Sequence, residues 1–152
     1  MIDVRRADAA DLWSINTVIP AAKRTWNYDP GYLAAALPLL SVDESYLARN
    51  TCFAASGPDG VVGFAAIKLV GDGVALLDHL WVAPGVQHRG IGTLLFRRSV
   101  AEAARSSSVL RIISDPPAAP FYLRQGAIRV GEAPSRVPGG PIFSVLELSL
   151  PK

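Results

Sequence analysis

Seven residues constrain this chain more than any others: Gln87-His88-Arg89-Gly90-Ile91-Gly92-Thr93. They follow an apolar run, Val74 to Val82, that is broken by Ala83-Pro84-Gly85. They lead into Gly90 to Ser106, where Leu94, Leu95, Arg98, Val100-Ala101 and Ala104 fall on repeating turns. The expected order is therefore strand, glycine loop, helix. Glycine lets the backbone approach a ligand closely, and a helix N-terminus presents unpaired N–H groups to an anion. A pyrophosphate is the natural guest, with His88 and Arg89 as cationic neighbours. The run lacks the Gly-Lys-Ser/Thr ending of a P-loop and the three-glycine spacing of a dinucleotide fingerprint. The same residues also suit an ordinary strand-to-helix turn.

Around this unit the chain alternates short elements. Ile2, Val4 and Arg6 suggest a first strand. Ala7 to Arg24 follows as a helix, with Asp8 or Asp11 as N-cap, apolar spacing at Leu12, Ile15, Val18 and Ile19, and Pro20 expected to end or bend it. Trp26 to Gly31 reads as a loop, Tyr32 to Leu40 as a short helix weakened by Pro38, and Ser41 to Leu47 as another turn. Thr51 to Ser56, Val61 to Val70 and Val74 to Val82 are strands joined by Gly57-Pro58-Asp59-Gly60 and Gly71-Asp72-Gly73. Val109 to Ser114 has the continuous apolar character of a fully buried strand. A helix opened by Asp115-Pro116-Pro117 closes at Gly126. Ala127 to Gly131 and Ile142 to Leu150 are the last strands, joined by a Pro/Gly-rich loop from Ala133 to Pro141. Strands alternate with helices only in the second half, so the class is α/β with a mixed sheet.

Composition narrows the function classes. Half of the 152 residues are apolar and 18% charged, which excludes a disordered chain and implies one domain over residues 1–152. Fifteen basic side chains against thirteen acidic ones are too even for a nucleic-acid binder. One cysteine, Cys52, excludes a disulfide framework and a cysteine-based metal site, and no metal is expected. The longest apolar run, Leu33 to Leu40, contains Pro38 and falls short of the about 20 residues a membrane span needs. With no targeting segment visible, the expected location is the cytoplasm.

The run Leu80-Trp81-Val82-Ala83-Pro84, then Arg89-Gly90-Ile91-Gly92 and Leu95, closely resembles the acetyl-coenzyme A motif of the GNAT N-acetyltransferase superfamily, whose Arg/Gln-x-x-Gly-x-Gly/Ala signature is met by Gln87, Gly90 and Gly92. Asp115-Pro116, Phe121-Tyr122 and Gly126-Ala127 are similar to that family's downstream aromatic pair and glycine turn. Element order extends the resemblance over essentially the whole chain. It implies a mixed, mostly antiparallel central sheet of six to seven strands, flanked by helices and splayed between the fourth and fifth strands. It implies acetyl-CoA as cosubstrate. Backbone groups of Leu80, Trp81 and Val82 would pair with the pantetheine arm or orient the acetyl carbonyl. N–H groups from His88 through Arg89, Gly90, Ile91 and Gly92 to Thr93 would cradle the pyrophosphate. Asp115 falls where relatives bond the pantetheine or nearby backbone; its other reading is a helix N-cap before Pro116, and the two roles are compatible. Tyr122 falls where relatives place a tyrosine near the coenzyme sulfur; its other reading is a core aromatic beside Phe121. Trp26, Tyr28 and Tyr32 fall beside the implied acceptor pocket, where they could clasp an amine by cation–π contact or form a satellite cluster. Ser135, Arg136 and Pro138 to Pro141 could cover the same side.

Acetyl transfer to an amine needs the neutral nitrogen, and an alkyl ammonium of pKa about 10.4 is only about one part in a thousand neutral at pH 7. A base is therefore useful. Asp78 is the candidate, with a plain ion pair to an arginine as its other reading. Its neighbour His79 reads as a packed, hydrogen-bonded histidine, and strand alternation sends the two to opposite faces. Trp13 and Trp81 read as core, as does Cys52. The sequence thus points to direct transfer of acetyl from acetyl-CoA to a primary amine of a small molecule or peptide in a ternary complex. The competing reading is a coenzyme A-binding sensor without turnover. No nucleic-acid or membrane partner is expected, and pairing of two copies through the terminal strands is compatible with such a fold.

Overall fold

The computed structural model describes residues 1–151. Seven strands form one sheet in the order β1-β2-β3-β4-β5-β7-β6. β1 (Asp3–Arg6), β2 (Thr51–Gly57), β3 (Gly60–Gly71) and β4 (Val74–Val82) pair antiparallel in that order, with glycine turns joining β2 to β3 and β3 to β4. β5 (Val109–Ser114), β7 (Ile142–Ser149) and β6 (Ile128–Pro134) form a second antiparallel set. The two sets join through the single parallel pair, β4 with β5. A parallel pair needs a long crossover, supplied here by α4 (Ile91–Ala103).

α1 (Leu12–Arg24) covers one face of the sheet, packing Ile15, Val18, Ile19 and Ala22 on Phe64, Ala66 and Trp81. α4 covers the other, where Ile91 and Leu95 meet Phe53, Ala55 and Ala65, and Phe96 meets Leu77, Leu110, Ile112 and Tyr122. α2 (Pro30–Ala36), α3 (Glu44–Arg49) and α5 (Ala119–Arg124) are short; Asp29 caps α2 and Asp43 caps α3 by accepting N–H bonds from Tyr32 and Tyr46.

In its helices and strands the structure differs from the sequence expectations chiefly at Pro20, Trp13, β5 and β6. Pro20 sits inside α1 and does not end it, because buried residues on both sides of it, Ile15 to Ile19 and Ala22 to Lys23, hold the helix against the sheet. Trp13 is 80% exposed, not core: it lies off the stripe set by Ile15, Val18, Ile19 and Ala22. β5 is not buried throughout, since Ile113 is 47% exposed and Arg111 pairs with Glu147 across to β7. β6 runs on to Pro134, shortening the loop that follows.

The start of α1 is fixed by charge. Asp8 forms a reciprocal capping box with Asp11 at the 3₁₀ turn Ala9–Asp11. The Arg5 guanidinium donates to both Asp11 carboxylate oxygens, at 2.8 and 2.9 Å. That hydrogen-bonded pair holds the Asp11 carboxyl below the usual carboxylate range, against the opposing effect of burial. The folded value lies below the unfolded one, so the stabilisation is complete above the unfolded pKa of about 3.9 and is lost as pH falls through the lower folded value. Asp11→Asn should cost about 1–2 kcal/mol at pH 7. Denaturant titrations of wild type and variant should converge as the pH drops below about 4.

Candidate active site

β4 and β5 pair only from Val74–Val109 to Leu77–Ile112. Beyond that point β5 keeps β7 as far as Ser114, and β4 keeps β3 as far as Val82. The two strands part, leaving the end of β4 with one neighbour and an unpaired backbone edge. A cleft of about 600 Å³ opens beside that edge. Leu80, Trp81 and Val82 line it on one side, and Gln87, His88, Gly90, Ile91, Gly92 and Thr93 line its end. Tyr122 lines the far wall with Pro117, Ala118, Pro120, Phe121 and Arg124, while Ala22 and Trp26 enter from α1 and the segment after it. Arg89 is not part of the lining.

Local chemistry shapes the loop. Gly90 is the N-cap of α4 with φ +79°, a left-handed conformation that disfavours other side chains, and His88 is also left-handed at φ +65°. Gln87 Nε2 donates to the Val82 carbonyl at 3.3 Å, tying the loop to the end of β4. A Cβ at Gly92 would stand 3.7 Å from the Phe121 ring, so the loop lies close to α5. The first-turn N–H groups of α4, which have no partner within the helix, belong to residues that line the cleft. Together with the cleft's size, they suit a long ligand that carries a pyrophosphate.

A second, smaller void of about 50 Å³ lies in the gap between the parted strands. It is lined by Asp78, His79, Ser114 and Asp115, and it shares Trp26, Leu80, Trp81, Ala118 and Tyr122 with the cleft. Tyr122 is thus at the junction. Burial, and secondarily the Asp115 carboxylate, push its phenol far above the ordinary range. It is a donor that stays protonated.

Asp78 and His79 do not lie on opposite faces. The β3–β4 register slips between Ala66–His79 and Ile67–Leu77, so Asp78 is the extra residue of a β-bulge. The bulge reverses the alternation: Leu77 packs on the α4 side, whereas Trp81 packs on the α1 side. Asp78 and His79 share that α1 side, with His79 Nε2 3.8 Å from Asp78 Oδ2. The Tyr46 hydroxyl donates to the same oxygen, and Lys68 Nζ stands 3.5 Å away. Trp81 Nε1 donates to His79 Nδ1 at 2.9 Å. Burial pulls His79 down to about 4, so the ring is neutral with its proton on Nε2. Its one acceptor nitrogen is already used, so of this neighbouring pair Asp78 is the one with a free acceptor toward the void.

Asp115 does not cap the turn that follows it. Its Oδ1 accepts from Lys23 Nζ at 2.7 Å and from the Tyr28 hydroxyl at 2.9 Å. Lys23 also corrects the reading of the aromatic cluster. Tyr28 and Tyr32 do surround an ammonium, at 5.1 and 5.4 Å, but it is the chain's own. Trp26 instead packs on Trp81, with centroids 5.9 Å apart. Ser135 and Gly140 close over Tyr32: a Cβ at Gly140 would fall 2.6 Å from the Tyr32 ring. Cys52 is buried, which pushes its thiol up to about 11 and keeps it from nucleophilic use. Among the described residues no cluster of three or more His, Cys, Asp or Glu could hold a metal, and no helix is long and apolar enough to cross a membrane.

Lys23 and Tyr46 were missed in the sequence. Lys23 carried a signal, since positions 15, 19 and 23 lie on one helical stripe. Tyr46 carried none beyond its place after the Asp43 cap.

Similar proteins agree with this geometry. The family model for the acetyltransferase (GNAT) domain matches residues 48–126. A GCN5-related N-acetyltransferase from Rhodopseudomonas palustris superposes with a TM-score of 0.78 at 21% identity, over 97% of this chain and 95% of that one. The PaiA N-acetyltransferase of Thermoplasma acidophilum, solved with coenzyme A, gives 0.77 at 16% identity, over 98% and 99%. The Salmonella typhimurium acetyltransferase YncA, solved with acetyl-CoA, gives 0.72 at 22%, over 100% and 95%. Among curated proteins none matches the sequence. At these identities the structural likeness establishes the fold, and the family model spans just over half of the chain; the chain belongs to the GNAT acetyltransferase family.

Proposed function

We propose that this protein transfers an acetyl group from acetyl-CoA to a primary amine, directly, within a ternary complex. The observation that carries the reading is the placement of Tyr122 and Asp78 at the two sides of one gap: Tyr122 borders the large cleft and the void, and Asp78 borders the void alone. The cleft suits the coenzyme. First-turn N–H groups of α4, at Ile91, Gly92 and Thr93, would hold the pyrophosphate, with Gln87 and His88 shaping the approach. The unpaired edge of β4 at Leu80, Trp81 and Val82 would bond the pantetheine and orient the thioester carbonyl. Acetyl-CoA supplies the activated acyl group.

The chain's own groups do the rest. Asp78 attracts the acceptor ammonium into the void and takes its proton, directly or through a water. The Tyr46 hydroxyl, bonded to Asp78, orients that carboxylate. An ordinary phenol of about 10 already exceeds a thiol of about 8.5, and Tyr122 is pushed further up. Full proton transfer to the departing thiolate is therefore uphill. As the amine nitrogen bonds the acetyl carbon and the carbon–sulfur bond breaks, Tyr122 hydrogen-bonds the sulfur; the nitrogen's second proton leaves to solvent, and the thiolate draws its own proton from solvent. Trp26, common to both cavities, flanks the acceptor.

Substitutions at three positions test these roles. Gly90→Asp places a carboxylate at the α4 N-terminus in a left-handed position; calorimetry should show acetyl-CoA binding weakened about tenfold to a hundredfold, and Gly90→Asn should lose less. Unchanged binding in both variants would remove the pyrophosphate assignment. Tyr122→Phe should lower kcat about tenfold or more while acetyl-CoA affinity holds. Asp78→Asn should lower kcat/KM about a hundredfold, read by thiol release with an amine panel, with coenzyme binding intact. An Asp78→Asn enzyme as active as wild type would sink the base assignment.

A further inference from the structure

Lys23 is the most deeply enclosed charge near the gap, and the reaction above does not use it. It stands at the end of α1 and is 3% exposed. Its ammonium meets Asp115 at 2.7 Å and four ring centroids: Tyr28 at 5.1 Å, Tyr32 at 5.4 Å, Phe143 at 5.7 Å and Trp81 at 5.9 Å. Several aromatic faces and a carboxylate around one cation make an ammonium receptor. Stability alone does not call for it, because well-packed apolar residues of similar volume often replace a buried ion pair without loss. Nor is lysine a habit of this sequence, which has three lysines and twelve arginines.

The box adjoins the acceptor void. Trp81 and Asp115 belong to both. The void therefore has two carboxylates: Asp78, whose cation Lys68 is half-exposed and stands off at 3.5 Å, and Asp115, which a buried cation already matches at 2.7 Å. We propose that Lys23 fills an ammonium subsite beside the acceptor void and thereby restricts the enzyme to acceptors that bring a single cationic amine, excluding diamines and polyamines. This rests on the amine-acetylation reading above. A monoamine meets Asp78. A second ammonium a few carbons away meets Lys23, where like charge opposes it and Asp115 offers no free charge. Removing the Lys23 side chain vacates the box and leaves Asp115 to receive that second cation.

The test compares n-propylamine with 1,3-diaminopropane at saturating acetyl-CoA. Wild type should favour the monoamine in kcat/KM by about tenfold or more, and Lys23→Ala should narrow or reverse that ratio. A second readout needs no turnover: by calorimetry folded Lys23→Ala should bind n-butylammonium at one site beyond any that wild type shows at Asp78, and the double variant Lys23→Ala/Asp115→Asn should lose that added site. If Lys23→Ala does not fold, Lys23→Met, which keeps the volume and removes the charge, should still lose the discrimination. Equal use of both amines by wild type, or a ratio unchanged by the substitutions, would overturn the proposal. If wild type acetylates neither amine, the amine-acetylation reading fails, and the subsite is then decided by butylammonium alone: the absence of an added binding site in folded Lys23→Ala refutes it.

Discussion

The loss of pairing between β4 and β5 after Leu77 and Ile112 is the constraint on which this structure depends. A sheet that stayed paired to the end of both strands would have no cleft and no free backbone edge at Leu80, Trp81 and Val82. The separation has identifiable causes. α4 leaves the end of β4 through the glycine loop and returns the chain to the start of β5, so the only paired stretch is the one nearest that return. Phe121 and Tyr122 then wedge beside Phe96 in the space between the strands' ends and α4.

The bulge at Asp78 is the second determinant. Without it, Leu77, His79 and Trp81 would point to one face by the period-two rule, and Asp78 to the other. With it, the buried side chains of β4 face α4 before the bulge and α1 after it, and a carboxylate and an imidazole come together at the mouth of the gap. Packing on Tyr46 and Trp81 then fixes which of the two can take a proton.

Much of the fold was legible because it rests on local chemistry. β4 and β5 begin and end where the apolar runs do, and the turn glycines at 71 and 73 both adopt positive φ. The glycine loop was legible for the same reason: its neighbours in space are largely its neighbours in sequence. What was not legible is long-range. No local pattern joins Lys23 to Asp115, 92 positions apart, or Tyr46 to Asp78, 32 apart. The bulge was hidden because burial alternates along β4 without a break, and the slip shows only in its register with β3. Trp13 misled through its residue type; its place on the helix, off the buried stripe, carried the information.

The Lys23–Asp115 pair also has a mechanical consequence. α1 is packed on β3 and β4, whereas Asp115 directly follows β5, so this one contact spans the gap from one half of the sheet to the other. The parted strands resemble two arms joined at Leu77–Ile112, with a buried tie across their open ends. Widening the gap would require separating two enclosed opposite charges, which is far more costly than breaking a surface pair. The spacing between the arms is thus set before any ligand arrives. A ligand entering such a gap has little of the protein left to order, and more of its contact energy remains as affinity.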